Sequence, residues 1–208
     1  MKLVTDTVNE QAFEIIKSML LSGRMAPGER IDAQQIAAEL GVSLMPVRNA
    51  LQKLTTLGLI ITRQRVGFFV REFSNAELEQ IIDTRKMFEL YCLQNYFDKI
   101  DREKAKHLFD FMSEMPMDED DIVQKADEAF HWMIVDASQN AFIRRQYIEL
   151  NCMFNLGMGI YSAGTPDVAN VEHVTILEAI LAEDKDGAYK YLCQHLDRVR
   201  EEIVAQNR

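Results

Sequence analysis

The stretch GVSLMPVRNALQKL, residues 41–54, decides how the N-terminal part of this chain is read. Gly41 suits the left-handed turn that ends one helix, and Ser43 suits the cap of the next. Val47, Leu51 and Leu54 then recur at helical intervals, predicting a helix over 44–57 that closes at Gly58. Just upstream, AQQIAAEL (33–40) turns Ile36, Ala37 and Leu40 to one face of a shorter helix. Two short helices joined by Gly–Val–Ser form a helix-turn-helix.

The flanks extend that unit. TVNEQAFEIIKSMLLS (7–22) spaces Val8, Ala12, Ile15, Ile16, Met19 and Leu20 as a further helix, ended by Gly23 and a Pro27–Gly28 turn. On the other side, LIITRQRVGFFVREF (59–73) sets two β-branched and aromatic runs around RQRVG, a hairpin with Gly67 near its tip. Helix, helix, turn, helix and hairpin is the order of a winged helix-turn-helix. In that motif the second helix of the pair enters the major groove of double-stranded DNA. Its opening residues Ser43, Leu44 and Met45 face base edges, and Arg48 is the basic side chain of its first turn and a half. Arg63 and Arg65 on the hairpin are placed to hold phosphates or enter the minor groove, with Gly67 allowing backbones to approach. The plainer alternative is a small helical domain with ordinary surface arginines.

Charge divides the chain at the same place. The total of −10 argues against nucleic acid, but residues 1–72 carry 9 Lys+Arg against 7 Asp+Glu, a net of +2. Residues 73–208 carry 14 against 26, a net of −12. This predicts two domains with different partners, 1–72 and 73–208. A 48% hydrophobic content fills real cores, and no run approaches the roughly 20 apolar residues of a membrane helix. The opening MKLVTDTVNEQAFEII lacks a basic start followed by an apolar run, so no signal peptide is expected. The cysteines, Cys92, Cys152 and Cys193, are odd in number and unpaired in spacing, which fits reduced thiols in a cytoplasm.

From residue 74 the pattern is helical throughout, predicting an antiparallel bundle of about six helices in a mainly α protein. Ser74 opens a helix to about Asp98, Asp101 one to about Glu114, and MDEDD one to about Ser138; others span 140–162, Pro166 to about Ala182, and Asp186 to Ala205. In KADEAFHWMI (125–134), Asp127 and His131 leave one helix face. His173 and His195 fall on two further helices, each beside apolar residues. Three imidazoles and a carboxylate converging on a bundle axis suit a divalent ion such as Zn(II), Ni(II) or Mn(II), with positions left for water or a carboxylate. Taken singly, a histidine on a helix face is more often a hydrogen-bonded core or boundary residue. His107, in KAKHLFD beside lysines, reads as surface.

These residues carry a family resemblance. PGERIDAQQIAAELGVSLMPVRNALQKLTTLGLI with VGFFV resembles the winged helix of GntR-type bacterial regulators across 27–70, with Ser43, Arg48 and Gly67 on matching positions. Leu44 and Gln34 stand where that family usually has Arg, which alters phosphate attraction and the bases read. Residues 74–205 resemble the all-helical effector domain (FCD) of the family's FadR branch. The resemblance implies a metal held by Asp127, His131, His173 and His195, and a small carboxylate effector at or beside it. TRKMFELYC matches an Arg-x-x-x-Glu pattern that makes Arg85 a carboxylate clamp, with an Arg85–Glu89 pair on one helix as the structural alternative. Asn140 matches a family position too, or simply begins its helix. The expectation is a cytoplasmic, homodimeric transcriptional repressor that binds a palindromic operator and responds to a small organic acid. Two rivals are a metal-free regulator with an apolar or acyl ligand, and a metallohydrolase.

Overall fold

In the computed structural model, residues 8–117, 119–158 and 166–205 of the chain are described. They form a winged helix-turn-helix followed by a helical bundle. Two compact units divide the chain: Met1–Ser74 with Asn151–Ile160, and Asn75–Leu150 with Tyr161–Arg208.

The first unit contains α1 (Val8–Leu21), α2 (Ala33–Leu40) and α3 (Leu44–Thr56). Asp32 starts α2, its Oδ1 accepting from the N–H groups of Gln34 at 2.9 Å and Gln35 at 3.1 Å. Gly41 stops it at φ +64°, returning its N–H to the Ala37 and Ala38 carbonyls. Ser43 lies at the N-cap of α3 in extended conformation, yet its hydroxyl makes no capping bond. The third residue of α3, whose N–H a capping hydroxyl commonly takes, is Pro46, which has none. Burial of Ile16, Leu20, Ile36, Val47, Leu51 and Leu54 joins the three helices into one core, each side chain contributing about 1.5–3 kcal/mol.

The sheet has the order β1–β3–β2, from β1 (Arg30–Ile31), β2 (Ile60–Arg63) and β3 (Gly67–Val70), all neighbours antiparallel. Two-residue β1 is too short to show alternation and was not expected. Ile31, Ile60 and Val70 turn inward, while Arg30 and Ile61 lie opposite Phe69, and Arg63 opposite Gly67, on the other face. The hairpin turn is closed by the Val66 N–H donating to the Arg63 carbonyl at 3.1 Å, with Arg65 at φ +62°. Gly67 takes φ +138°. A Cβ there would meet only the Arg30 guanidinium, with Nε at 3.5 Å, an ordinary contact, so within the protein it is backbone conformation that selects this glycine. Gly67→Ala is therefore expected to cost about 1–3 kcal/mol, read as a lowered urea midpoint.

The second unit is built from α4 (Asn75–Tyr96), α5 (Arg102–Glu114), α6 (Asp120–Asp136), α8 (Pro166–Leu181), α9 (Lys185–Ala205) and the start of α7 (Ala141–Met158). The expected extension of α7 to 162 lies outside the described residues. Asp101 caps α5 through the Lys104 N–H at 3.0 Å. Asn140 caps α7, its Oδ1 accepting from Phe142 at 2.9 Å and Ile143 at 3.3 Å. Helix α9 packs on α4 and α8, and α5 on α8. Leu78, Ile82, Leu93, Met112, Phe130, Ile134, Ile176, Ile180, Leu192 and Leu196 fill the interior. Among the described residues no helix is long and apolar enough to cross a membrane.

Candidate functional sites

Bundle packing turns three histidines from three helices onto one point. His131 (α6), His173 (α8) and His195 (α9) are buried, each offering a ring nitrogen within 4.8 Å of the others. His173 Nε2 and His195 Nε2 lie 3.1 Å apart. Asp127 Oδ1 is 3.7 Å from Nε2 of both His131 and His173. Its side chain keeps 33% of its surface exposed, so the carboxylate sits at the cluster's mouth. Phe130, one residue before His131, stacks on His173 at 4.3 Å and 26°. The i, i+4 spacing of Asp127 and His131 thus serves a cluster completed by tertiary packing.

Carboxylates hold two of the rings from behind. Glu89 on α4, fully buried, lies 2.7 Å from His131 Nδ1. It also accepts from Arg85 Nε at 2.7 Å and from the Tyr147 hydroxyl at 2.6 Å. Arg85, 3% exposed, is thus paired with Glu89 on its own helix. Glu172 Oε2 lies 2.7 Å from His195 Nδ1. Sequence reasoning missed Glu172, Arg198, Tyr147 and the role of Glu89. Only the adjacency of Glu172 to His173 was visible, and nothing local tells which ring it serves.

Burial and mutual charge shift the groups of this cluster in different directions. Burial alone would raise the Glu89 carboxyl, but His131 and Arg85 outweigh it and hold it at about 2. Burial likewise opposes ionisation of Asp127, yet His131, His173 and Arg85 keep it well below the usual carboxylate range. Burial, then the neighbouring His195, pushes His173 well below its ordinary value, and burial also lowers His195 against its bond to Glu172. His131 moves up, because Glu89 and Asp127 together outweigh burial and Arg85.

A stability consequence follows from His173. Its unfolded value is near 6.5 and its folded value is depressed. Between the two the unfolded chain binds more protons, so stability falls as pH drops below about 6.5. His195 adds to this loss and His131 works against it. The urea midpoint of metal-stripped protein is expected to fall between about pH 7.5 and about pH 5.5, and His173→Gln to flatten that dependence.

In the first unit, Ser43, Met45, Arg48 and Gln34 are exposed and Leu44 half-buried. Met45 leaves 66% of its surface open, an unusual placement for an apolar side chain. Arg63 and Arg65 are exposed on the hairpin, Arg63 stacking on Phe69 at 4.2 Å. Among the described residues Arg30, Arg48, Arg63 and Arg65 form no ion pair. Arg24 of the same unit is paired with Glu39. In the bundle Arg85, Arg144, Arg198 and Arg200 are matched to carboxylates, whereas among the described residues Arg102 and Arg145 are not.

Residues 8–70 match the sequence profile of the gntR family of bacterial regulatory proteins, and residues 80–198 that of the FCD domain. The chain belongs to the GntR family, FCD type. These families are transcriptional regulators, which removes the metallohydrolase alternative. The Nta operon transcriptional regulator of Aminobacter aminovorans is 28% identical over 193 residues, spanning 89% of this chain and 91% of that protein. The transcriptional repressor RspR of Escherichia coli K12 is 23% identical over 215 residues, spanning 96% and 90%. A GntR regulator structure from Rhodococcus sp. RHA1 shares the fold at TM-score 0.82 and 19% identity, covering 95% of this chain and 97% of that one. The FCD domain of TM0439, solved both metal-free and Zn2+-bound, is 28% identical over 64% of this chain and 95% of that one, at TM-scores of 0.58 and 0.57.

Proposed function

We propose that this GntR regulator represses transcription in the cytoplasm as a homodimer. Residues 1–72 grip one half of a palindromic double-stranded operator, and residues 73–208 sense a small carboxylate at or beside a divalent metal. The observation that carries the sensing half is the convergence of three imidazole nitrogens from three helices beside the Asp127 carboxylate. The donor set fits: His131, His173 and His195 supply neutral nitrogens, Asp127 supplies charge, and outlying carboxylates aim two of the rings. Bound there, Zn(II), Ni(II) or Mn(II) supplies Lewis acidity toward an incoming carboxylate. Arg85 places a guanidinium within the same field, and Asn140, although it caps α7, is the other effector candidate.

On the DNA side, Ser43, Leu44, Met45 and Arg48 at the start of α3 read the major groove. Gln34 faces the backbone, and Arg63 and Arg65 flank the wing at Gly67. Guanidinium groups without carboxylate partners support this, because an anionic polymer can neutralise them. Effector and DNA affinities must change each other by the same factor.

The test starts from an operator selected out of random duplexes. Retardation is measured with Zn2+, with chelator, and with a panel of small carboxylates. Arg48→Ala is expected to weaken the selected site about 5–150-fold, the equivalent of about 1–3 kcal/mol, with the fold unchanged. Unchanged affinity in that variant removes Arg48 as a reader, and operator binding indifferent to metal and to every acid removes the sensing half.

A further inference from the structure

Two Arg–Glu–His chains lead into the histidine cluster. Arg85 Nε reaches Glu89 Oε1, and Glu89 Oε2 lies 2.7 Å from His131 Nδ1. Arg198 grips both oxygens of Glu172, Nε to Oε1 and a terminal nitrogen to Oε2, each at 2.7 Å. Glu172 Oε2 then lies 2.7 Å from His195 Nδ1. In both chains carboxylate and imidazole stand on different helices, α4 with α6 and α8 with α9. Arg198 is further fixed by Glu202 at 2.5 Å.

This arrangement dictates where the protons sit. An ionised carboxylate only accepts, so each imidazole must donate through Nδ1. A neutral ring then keeps its lone pair on Nε2, so His195 presents a lone pair and His131 does once it has given up its second proton. Nε2 of His195 faces Nε2 of His173, and Nε2 of His131 faces Asp127. His173 Nε2, 3.1 Å from His195 Nε2, must in turn carry a hydrogen when nothing else lies between them. His173 therefore changes tautomer to meet a cation, whereas His131 and His195 do not.

We propose that Glu172 and Arg198 are positioning residues, Arg198 aiming Glu172 so that Glu172 locks His195 as the Nδ1–H tautomer with its Nε2 lone pair turned into the cluster. The affinity consequence rests on the metal-sensing reading above; the tautomer does not.

Two measurements separate them. In metal-stripped protein, nitrogen-15 NMR of the imidazoles is expected to show His195 as Nδ1–H. In Glu172→Gln, whose amide both donates and accepts, a tautomer mixture is expected. Titration with Co2+, read by visible absorption, is expected to show about 10–100-fold weaker binding in Glu172→Gln and a smaller loss in Arg198→Lys, which cannot grip both oxygens. Arg200→Ala is the control, because Arg200 pairs instead with Glu79 and Asp83. His195 found as Nε2–H in the unaltered chain overturns the proposal, and so does Glu172→Gln that keeps both tautomer and Co2+ affinity. An unaltered chain that shows Nδ1–H but takes no Co2+ or Zn2+ overturns the metal reading and leaves the positioning role standing.

Discussion

Glu89→Ala is expected to cost about 3–5 kcal/mol of folding stability, the largest effect of any single change at a titratable position here. Glu89 is fully buried and accepts three donors, from Arg85, Tyr147 and His131. Alanine removes both oxygens that serve these three donors and leaves the Arg85 charge, itself 3% exposed, without the carboxylate that balances it. Glu89→Gln keeps an acceptor but loses the charge, so it falls between. Joint replacement of Arg85 and Glu89 by methionine is expected to recover much of the loss, because no buried charge remains. Urea unfolding of the four proteins checks this order, and a loss under about 1 kcal/mol in Glu89→Ala would mean water reaches Arg85. The pH sign is fixed too. Glu89 is held at about 2 against 4.5 for a free carboxyl, so its contribution is complete above 4.5 and is lost as pH falls from there toward 2.

Local signals marked the winged helix well. Helix α2 covers the 33–40 that its spacing marks and ends at Gly41, and its start is capped by Asp32, a local signal that the spacing did not use. Ser43 carried the same kind of signal and misled in part: its position is right, but Pro46 removes a donor it would have bound. Strand β1 was invisible, since Arg30–Ile31 exists only through pairing with Phe68 and Phe69. In the bundle, helical spacing revealed Asp127 beside His131, and family resemblance connected both with His173 and His195. The bonds between helices were beyond either source. Arg85–Glu89 reads on paper as an ordinary pair four residues apart. Its importance comes from Tyr147 and His131, 58 and 42 residues away. Glu172 likewise serves His195, not its neighbour His173, because α8 and α9 pack side by side.

Replacement of His173 by glutamine is the second large effect. It removes one of three converging nitrogens while keeping a side chain of similar bulk against Phe130, so the metal-free fold is expected to survive. The loss in Zn2+ affinity is expected to exceed the roughly 10–100-fold that an outer carboxylate commands, because a ligand atom itself disappears. Linkage turns that into stability. A site filled at 100 times its dissociation constant stabilises the native state by about 2.7 kcal/mol, so Zn2+ is expected to raise the urea midpoint of the unaltered chain and scarcely move that of His173→Gln. Trp132, the chain's one tryptophan, follows His131 and meets the Tyr147 ring at 4.9 Å, so its fluorescence reports the same titration from inside the bundle. If both proteins respond alike to Zn2+, by midpoint and by fluorescence, the ion binds elsewhere and the histidines are core residues. If only the variant is blind to it, the same titration repeated with operator present tells whether the metal speaks to DNA. Reciprocity requires the operator to shift Zn2+ affinity by whatever factor Zn2+ shifts the operator's.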